Sequence, residues 1–150
     1  MQLSRQIKSI FFDTAPIIYF VEADAVWGPL VKQIVDNAIS NRVRFISSVI
    51  TLSEVLVKPS SEADEVLQTR FKQFLRYGKN VTLLEITAEI AELAAKLRGL
   101  YPSIKGMDSI QLAAAISSES DVFLTNDRKL KKISEIKVML LEDYQKEQSS

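Results

Sequence analysis

Four carboxylates stand where the chain turns from apolar to polar. Asp13 closes Ile10-Phe11-Phe12, Glu54 lies inside the run from Val49 to Val57, Asp108 introduces Ile110 to Ile116, and Asp127 follows Val122-Phe123-Leu124-Thr125-Asn126. A charge beside a hydrophobic core is costly unless it has a partner. Four like charges satisfy one another only by sharing a cation, and oxygen ligands suit a hard divalent ion, Mg²⁺ or Mn²⁺. The rest of the composition narrows the chemistry further. With no histidine and no cysteine in 150 residues, the chain has no Ser-His-Asp or Cys-His catalysis, no disulfide and no His/Cys zinc site.

Each acid taken singly also has a plain structural role. Asp13 can cap a helix, with Thr14 as a rival, and Asp108 can cap another. Glu54 can be a solvated residue on an amphipathic helix, and Asp127 can belong to a turn. What distinguishes the four is that all project toward one edge of an α/β sheet. Glu62, Asp64 and Glu65 instead open a helix, where negative charge complements the macrodipole. Glu89 and Glu92 fall on the polar face of theirs.

The elements that must position the four follow from hydrophobic spacing. Short apolar runs predict strands at Ser9 to Phe12, Val43 to Ile46, Val81 to Leu84, Val122 to Thr125 and Lys137 to Leu141. Pro16 suits the first turn of a helix whose residues Ile17 to Val21 are apolar nearly all round, hence buried. After the break at Gly28-Pro29, residues Leu30, Ile34, Val35 and Ala38 recur at helical spacing. Ser47 or Ser48 can cap a third helix, with Leu52, Val55 and Leu56 on one side and an end at Lys58-Pro59. Ser60 or Ser61 can cap a fourth, with Val66, Leu67, Phe71, Phe74 and Leu75 inward and a stop at Gly78. Thr87 caps a fifth carrying Ile90, Leu93, Ala94 and Leu97. A sixth starts near Asp108, and the polar tail from about Gln145 to Ser150 is expected to fray. Strands alternating with helices imply an α/β fold, a parallel sheet of about five strands with helices on both faces. Ligands of such folds bind outside the carboxyl ends of the strands. That is where Asp13 and Asp127 fall, with Glu54 about two helical turns beyond its strand.

The length fits one domain, residues 1–150. Its 47% hydrophobic residues are ordinary for a globular protein, and 19 basic residues balance 19 acidic ones. No blanket polycation is present, so any nucleic-acid contact must come from local basic clusters. The start Met1 to Lys8 has no long apolar stretch after its basic residues, so neither a signal peptide nor a membrane span is expected and a cytoplasmic protein is the default. A haloacid-dehalogenase-type phosphatase would need an aspartate at Ala15. A response-regulator receiver would need an acidic pair and a late lysine, neither of which is in place. No phosphate-binding loop or dinucleotide glycine fingerprint occurs.

Taken in order, Phe11-Phe12-Asp13-Thr14-Ala15-Pro16-Ile17-Ile18-Tyr19-Phe20, Ser53-Glu54-Val55, Met107-Asp108-Ser109-Ile110-Gln111-Leu112-Ala113-Ala114-Ala115 and Leu124-Thr125-Asn126-Asp127 resemble the motifs of PIN-domain ribonucleases. Within that group the pattern is most similar to the toxins of VapBC-type toxin–antitoxin pairs. Any one of these motifs is weak; the ordered four, spanning almost the whole chain, are specific. The resemblance implies a single PIN-like nuclease domain that binds Mg²⁺ or Mn²⁺ through Asp13, Glu54, Asp108 and Asp127, with Thr125 as a supporting hydroxyl. It implies hydrolysis of RNA that leaves a 5′-phosphate and a 3′-hydroxyl, and a small antitoxin as partner. One departure stands out. Many members carry a further acid shortly after the Asp127 position, whereas Lys129 and Leu130 stand there here, which weakens the case for a second metal.

Asp13 and Asp108 are expected as direct ligands, with Glu54 and Asp127 acting through water, since Mg²⁺ usually keeps several waters. Substrate phosphates need cations. Arg128, Lys129, Lys131 and Lys132 are the first candidates for RNA binding, and Arg42, Arg44 and Lys105 the next. The apolar residues of the first helix and of Phe71 to Tyr77 exceed what one sheet face covers, which predicts a homodimer. The competing expectation is an RNA- or protein-binding module whose acidic site is weak or inactive.

Overall fold

The computed structural model describes residues 7–149, with side chains to residue 146. The N-terminal segment Met1 to Gln6 and Ser150 lie outside the described residues, as do the corresponding parts of the readings above. Five strands form one sheet: β1 (Ser9–Phe12), β2 (Arg44–Ser48), β3 (Val81–Leu84), β4 (Val122–Thr125) and β5 (Lys137–Leu140). The order is β3-β2-β1-β4-β5 and every neighbouring pair is parallel. The helices are α1 (Thr14–Val21), α2 (Gly28–Ser40), α3 (Val49–Ser61), α4 (Glu65–Tyr77), α5 (Ala88–Leu100), α6 (Gly106–Ser117) and α7 (Leu141–Ser149), with a 3₁₀ turn at Arg128–Lys132.

Both faces of the sheet are covered, which is why its central strands read as unbroken apolar runs. Ile10, Phe12, Phe45 and Leu124 pack under α1 to α4 and α7, while Phe11, Ile46 and Phe123 pack under α5 and α6. On that second face Phe11 and Phe123 stack at 5.4 Å. From β1 the chain moves outward to β2 and β3, and it then returns to the other flank of β1 as β4. Loops leaving β1 and β4 therefore diverge, and a crevice opens at their carboxyl ends. At the opposite end of the sheet Asp121 accepts the backbone N–H groups of Lys8 and Ser9 at 2.7 and 3.1 Å, fixing the start of β1 against β4.

Several expected details differ. The helix begun at Val49 passes through Pro59 and ends at Ser61. The missing N–H falls in the last turn, and the buried Pro59 offers its carbonyl to Asp64 N and Gln68 Nε2, which offsets the loss. Neither Ser60 nor Ser61 caps α4; Asp64 does, accepting Leu67 N at 3.0 Å, while the Ser61 hydroxyl donates back to Lys58. Val66 is exposed, because the apolar stripe of α4 narrows to Leu67, Phe71, Phe74 and Leu75. The first helix is not buried all round: Pro16 and Ile17 are, but Ile18 to Val21 are half-buried. The tail from Leu141 is a helix. Leu141 and Tyr144 enter the core, and the Tyr144 hydroxyl meets Asn37 Nδ2 of α2 at 2.6 Å. Among the described residues no helix is long and apolar enough to cross a membrane.

Four helices end alike. Ala23, Arg42, Ala63 and Glu119 follow α1, α2, α3 and α6 with φ between 52° and 57°. The next residue's N–H reaches back to a carbonyl in the last turn, as in Asp64 N to Pro59 O at 2.8 Å and Ser120 N to Ala115 O at 3.0 Å. This is the left-handed C-terminal motif that glycine usually supplies, here made by residues with a Cβ. Left-handed backbone costs an L-residue roughly 1–2 kcal/mol, partly offset by the chain entropy glycine loses on folding. Ala63→Gly or Glu119→Gly, both at exposed positions, is therefore expected to raise unfolding free energy by up to about 1 kcal/mol. Urea denaturation of each variant beside wild type checks this, and a loss of stability would contradict it.

Candidate functional site

β1 delivers Asp13 into the crevice between β1 and β4. Its backbone N–H still belongs to the sheet, donating to Leu124 O at 2.9 Å. Its carboxylate caps α1 by accepting Thr14 N on Oδ1 at 2.9 Å and accepts the Thr125 hydroxyl on Oδ2 at 2.8 Å. Thr125 is buried, and its oxygen also accepts Asp127 N at 3.1 Å. Asp127 in turn caps the 3₁₀ turn, with Oδ1 accepting Lys129 N at 3.0 Å. The capping roles expected of Asp13 and of the Asp127 turn are thus present, and they aim both side chains at the same edge.

Glu54 is the sixth residue of α3 and is exposed on its surface. Thr14 Oγ1 donates to its Oε1 at 2.8 Å, which joins α3 to the start of α1. Asp108 is the third residue of α6 and not its cap; that place is taken by Lys105, without a side-chain bond. The capping explanation for Asp108 therefore lapses, although an acid in the first turn still complements the helix dipole.

Asp13 feels the charges of Asp108 and Glu54, and Asp108 those of Asp127 and Glu54. Burial pushes the Asp13 carboxyl up to about 6 from its ordinary 3.8, opposed by the Thr125 and Thr14 hydrogen bonds and assisted by the charges of Asp108 and Glu54. Asp108 is also raised, by burial first and then by Asp127 and Glu54, while Lys105 and Lys129 pull it back. As the side chains stand, however, no three acids among the described residues close on a common point as a ready-made ion site would. The donors fit a hard divalent cation in kind: all are carboxylate oxygens, negative charge is in excess, and Glu54 Oε2, Asp127 Oδ2 and both oxygens of Asp108 take no hydrogen bond from the described residues.

The basic residues divide into two sets. Arg128 makes a bidentate bridge to Glu142, with both contacts at 2.8 Å, and this holds the Glu142 carboxyl low. Lys131 pairs with Asp143 at 2.8 Å, and Lys132 meets the Ser103 hydroxyl. These three fasten the 3₁₀ turn to α7 and to the loop before α6. Lys105 and Lys129 are the cations whose charge is felt at Asp108. Arg42 and Arg44 sit at the amino end of β2, at the edge opposite Asp13, and are removed from the site by topology.

Composition and spacing did not single out Thr51 or Gln111, which lie buried behind Glu54 and join Thr14 to α6. The available signal was a polar residue on the buried side of an apolar run, Val49-Ile50-Thr51-Leu52 and Ile110-Gln111-Leu112.

Comparison with known proteins bears on the fold and the family. A family model described as the PIN domain matches residues 10–136. A comparison with curated proteins gives no match. Among solved structures, VapBC from Salmonella typhimurium bound to DNA aligns over 90% of this chain and 99% of its own, with 18% identity and a TM-score of 0.73. VapBC2 from Rickettsia felis bound to a promoter DNA fragment aligns over 88% and 98%, with 18% identity and a TM-score of 0.73. The sarcin–ricin loop cleaving toxin VapC20 of Mycobacterium tuberculosis aligns over 85% and 98%, with 16% identity and a TM-score of 0.66. At these identities the likeness is one of fold.

The raised carboxyl of Asp13 has a consequence for stability. Between its unfolded value of 3.8 and its folded value of about 6, only the folded state keeps the proton. Stability is therefore lost as pH rises through that window, and the full cost stands above it. Without divalent cations, Asp13→Asn is expected to gain on wild type from pH 4 to pH 7, by on the order of 2–3 kcal/mol at most. The change with pH is the readout, because asparagine also disturbs the bonds to Thr14 and Thr125. Chemical denaturation in EDTA across that range measures it; a stability difference independent of pH would show that Asp13 is an ordinary ionised cap.

Proposed function

The chain belongs to the PIN domain family, and on that footing we propose that it is a divalent-metal-dependent endoribonuclease, the toxin of a toxin–antitoxin pair. The observation that supports this reading is that Asp13, Glu54, Asp108 and Asp127 feel one another's charge near the end of β1, where burial and like charge raise Asp13 and Asp108. Capping accounts for Asp13 and Asp127 singly, but carboxylates raised by burial and by one another in a crevice are the pattern of a functional site. Asp13 and Asp108 would hold Mg²⁺ or Mn²⁺ directly, with Glu54 and Asp127 binding through water. Bound there, the ion would lower the pKa of a water to supply the nucleophile and offset charge on the phosphoryl oxygens.

The protein's own residues set the rest. Thr125 holds the Asp13 carboxylate and the Asp127 backbone, and Thr14 holds Glu54. Lys129 and Lys105 flank Asp108 and are the groups to receive substrate phosphates. Arg128, Lys131 and Lys132 would serve RNA only by leaving their present partners. Attack by water leaves a 5′-phosphate and a 3′-hydroxyl.

The expected partner is a small protein, as in the toxin–antitoxin complexes whose fold this chain shares. The side bearing α1 and α4 suits such a partner or a second copy of the chain. Phe71 and Leu75 are withdrawn into the core, but Val66 and Tyr77 are exposed and Phe20 and Phe74 half-buried. Beside them Phe20, Ala23, Ala25 and Pro29 line a hollow of about 540 Å³. A weak or inactive binding module is the second reading, favoured by the absence, among the described residues, of three acids drawn to one point.

A pool of structured RNAs incubated with the purified protein separates the two. Cleavage is expected with Mg²⁺ or Mn²⁺ and not with EDTA, and Asp13→Asn or Asp108→Asn should reduce it at least about 100-fold, near 3 kcal/mol of transition-state stabilisation. Equal cleavage in EDTA would remove the metal mechanism. No cleavage together with no calorimetric metal binding would leave the binding module. In the same assay Lys129→Ala should weaken RNA binding and lower the log–log salt slope by about 1, whereas Arg128→Ala should mainly loosen α7, seen as a lower melting temperature.

A further inference from the structure

A buried line of hydrogen bonds leads away from Glu54. Thr14 Oγ1 donates to Glu54 Oε1 at 2.8 Å and lies 3.2 Å from Thr51 Oγ1. Gln111 Nε2 donates to Thr51 Oγ1 at 2.6 Å. The Ser48 hydroxyl donates to Gln111 Oε1, and Ile50 N donates to Ser48 Oγ at 3.1 Å. Ser48, Thr51 and Gln111 are at most 1% exposed. The core around them is otherwise apolar, and polar groups at such positions are tolerated only when fully bonded.

The line has a direction. A hydroxyl carries one proton. Thr14 gives its proton to Glu54, so the proton between the two threonines must come from Thr51. Thr51 then has none left to give Gln111 and must accept from it. That fixes the amide, with its NH₂ on Thr51 and its carbonyl on Ser48. Turned the other way, the amide would take the Thr51 proton, and the threonine oxygens would face each other with no hydrogen between them. From Gln111 onward every donor therefore points toward Glu54. Gln111 stands on α6 three residues after Asp108, and Thr51 on α3 three residues before Glu54. One amide thus ties together the two helices that carry carboxylates.

We propose that Gln111 is a positioning residue of this site: acting through Thr51 and Thr14, it fixes the orientation of the Glu54 carboxylate and the spacing between Glu54 and Asp108. This rests on reading the four carboxylates as a metal-binding nuclease site. Gln111 touches neither substrate nor ion, and its effect reaches the chemistry only through Glu54.

The test uses the full chain and three variants. Thr51→Val keeps the shape and deletes the hydroxyl, Thr51→Ser restores it, and Gln111→Leu deletes the amide. Two readouts are taken: the ¹³C resonance of the Glu54 carboxyl in metal-free protein, and Mn²⁺ affinity by calorimetry without RNA. Thr51→Val and Gln111→Leu are expected to move the Glu54 resonance toward that of a solvated glutamate and to weaken Mn²⁺ binding about 10-fold or more. Thr51→Ser should return both toward wild type. Folded variants with an unmoved Glu54 resonance and unchanged Mn²⁺ affinity would overturn the proposal, whatever their melting temperatures. So would a Thr51→Ser protein as impaired as Thr51→Val. If Gln111→Leu does not fold, the Thr51 pair decides. If Thr51→Val moves the resonance while wild type binds no Mn²⁺, the positioning role stands and the metal reading falls.

Discussion

Burial of one carboxylate at the end of β1 is the constraint from which the site is built. Asp13 cannot be solvated there as a surface aspartate would be, so its surroundings must answer it. Two donors do so, the Thr14 N–H and the Thr125 hydroxyl. Each is available only because of the fold. Thr14 opens a helix whose first N–H groups lack partners. Thr125 stands beside Asp13 because β1 and β4 are parallel neighbours in the register that pairs Phe12 with Leu124. The order β3-β2-β1-β4-β5 leaves the crevice at that junction, and the helices after β2 and before β4 bring Glu54 and Asp108 to it.

Much of this was legible in the sequence, for definite reasons. The strands were readable because both sheet faces are covered, so that Ile10 to Phe12 and Val122 to Leu124 are apolar without interruption. Thr87 and Gly78 marked helix ends because capping chemistry is local. Errors arose where a local signal met a tertiary one. Lys58-Pro59 looked like a stop, but packing of the buried Pro59 carries α3 onward. The tail from about Gln145 looked frayed by composition, yet α7 runs from Leu141 to Ser149, anchored just before that tail by Tyr144. The helix ends at Ala23, Arg42, Ala63 and Glu119 carry no glycine and so leave no mark for a reader of punctuation. Of the site itself, the four acids could be named from their places at the ends of apolar runs. How nearly they converge could not, because that depends on side-chain orientation. Nor could the pairing of Thr51 with Gln111, which joins residues sixty positions apart.

The cluster Arg128 to Lys132 shows why a charge run in sequence is a poor guide to what the charges do. A 3₁₀ turn points successive side chains in different directions. Arg128 and Lys131 find Glu142 and Asp143 at the start of α7, where acids also complement the helix dipole. The charge of Lys129 is felt at Asp108 instead. The last helix is therefore both a lid on the core, through Leu141 and Tyr144, and the counter-charge for half of the basic cluster. Two uses of the same cations compete: fastening the fold, and meeting an anion from outside.

The Thr125 hydroxyl gives its proton to Asp13 and takes one from the Asp127 backbone, so a single oxygen bonds to two of the four acids. The energies of Thr125 and Asp13 cannot then be independent. Effects of substitutions at positions 13 and 125 will not sum, because removing either side chain takes away the other's partner, whereas a change at 127 keeps the backbone N–H that Thr125 accepts. For the history of such a chain, this means that inactivation has more routes than the four acids suggest. A side chain that never meets the substrate can silence the site, and repair at a second position cannot restore what a missing oxygen had held together.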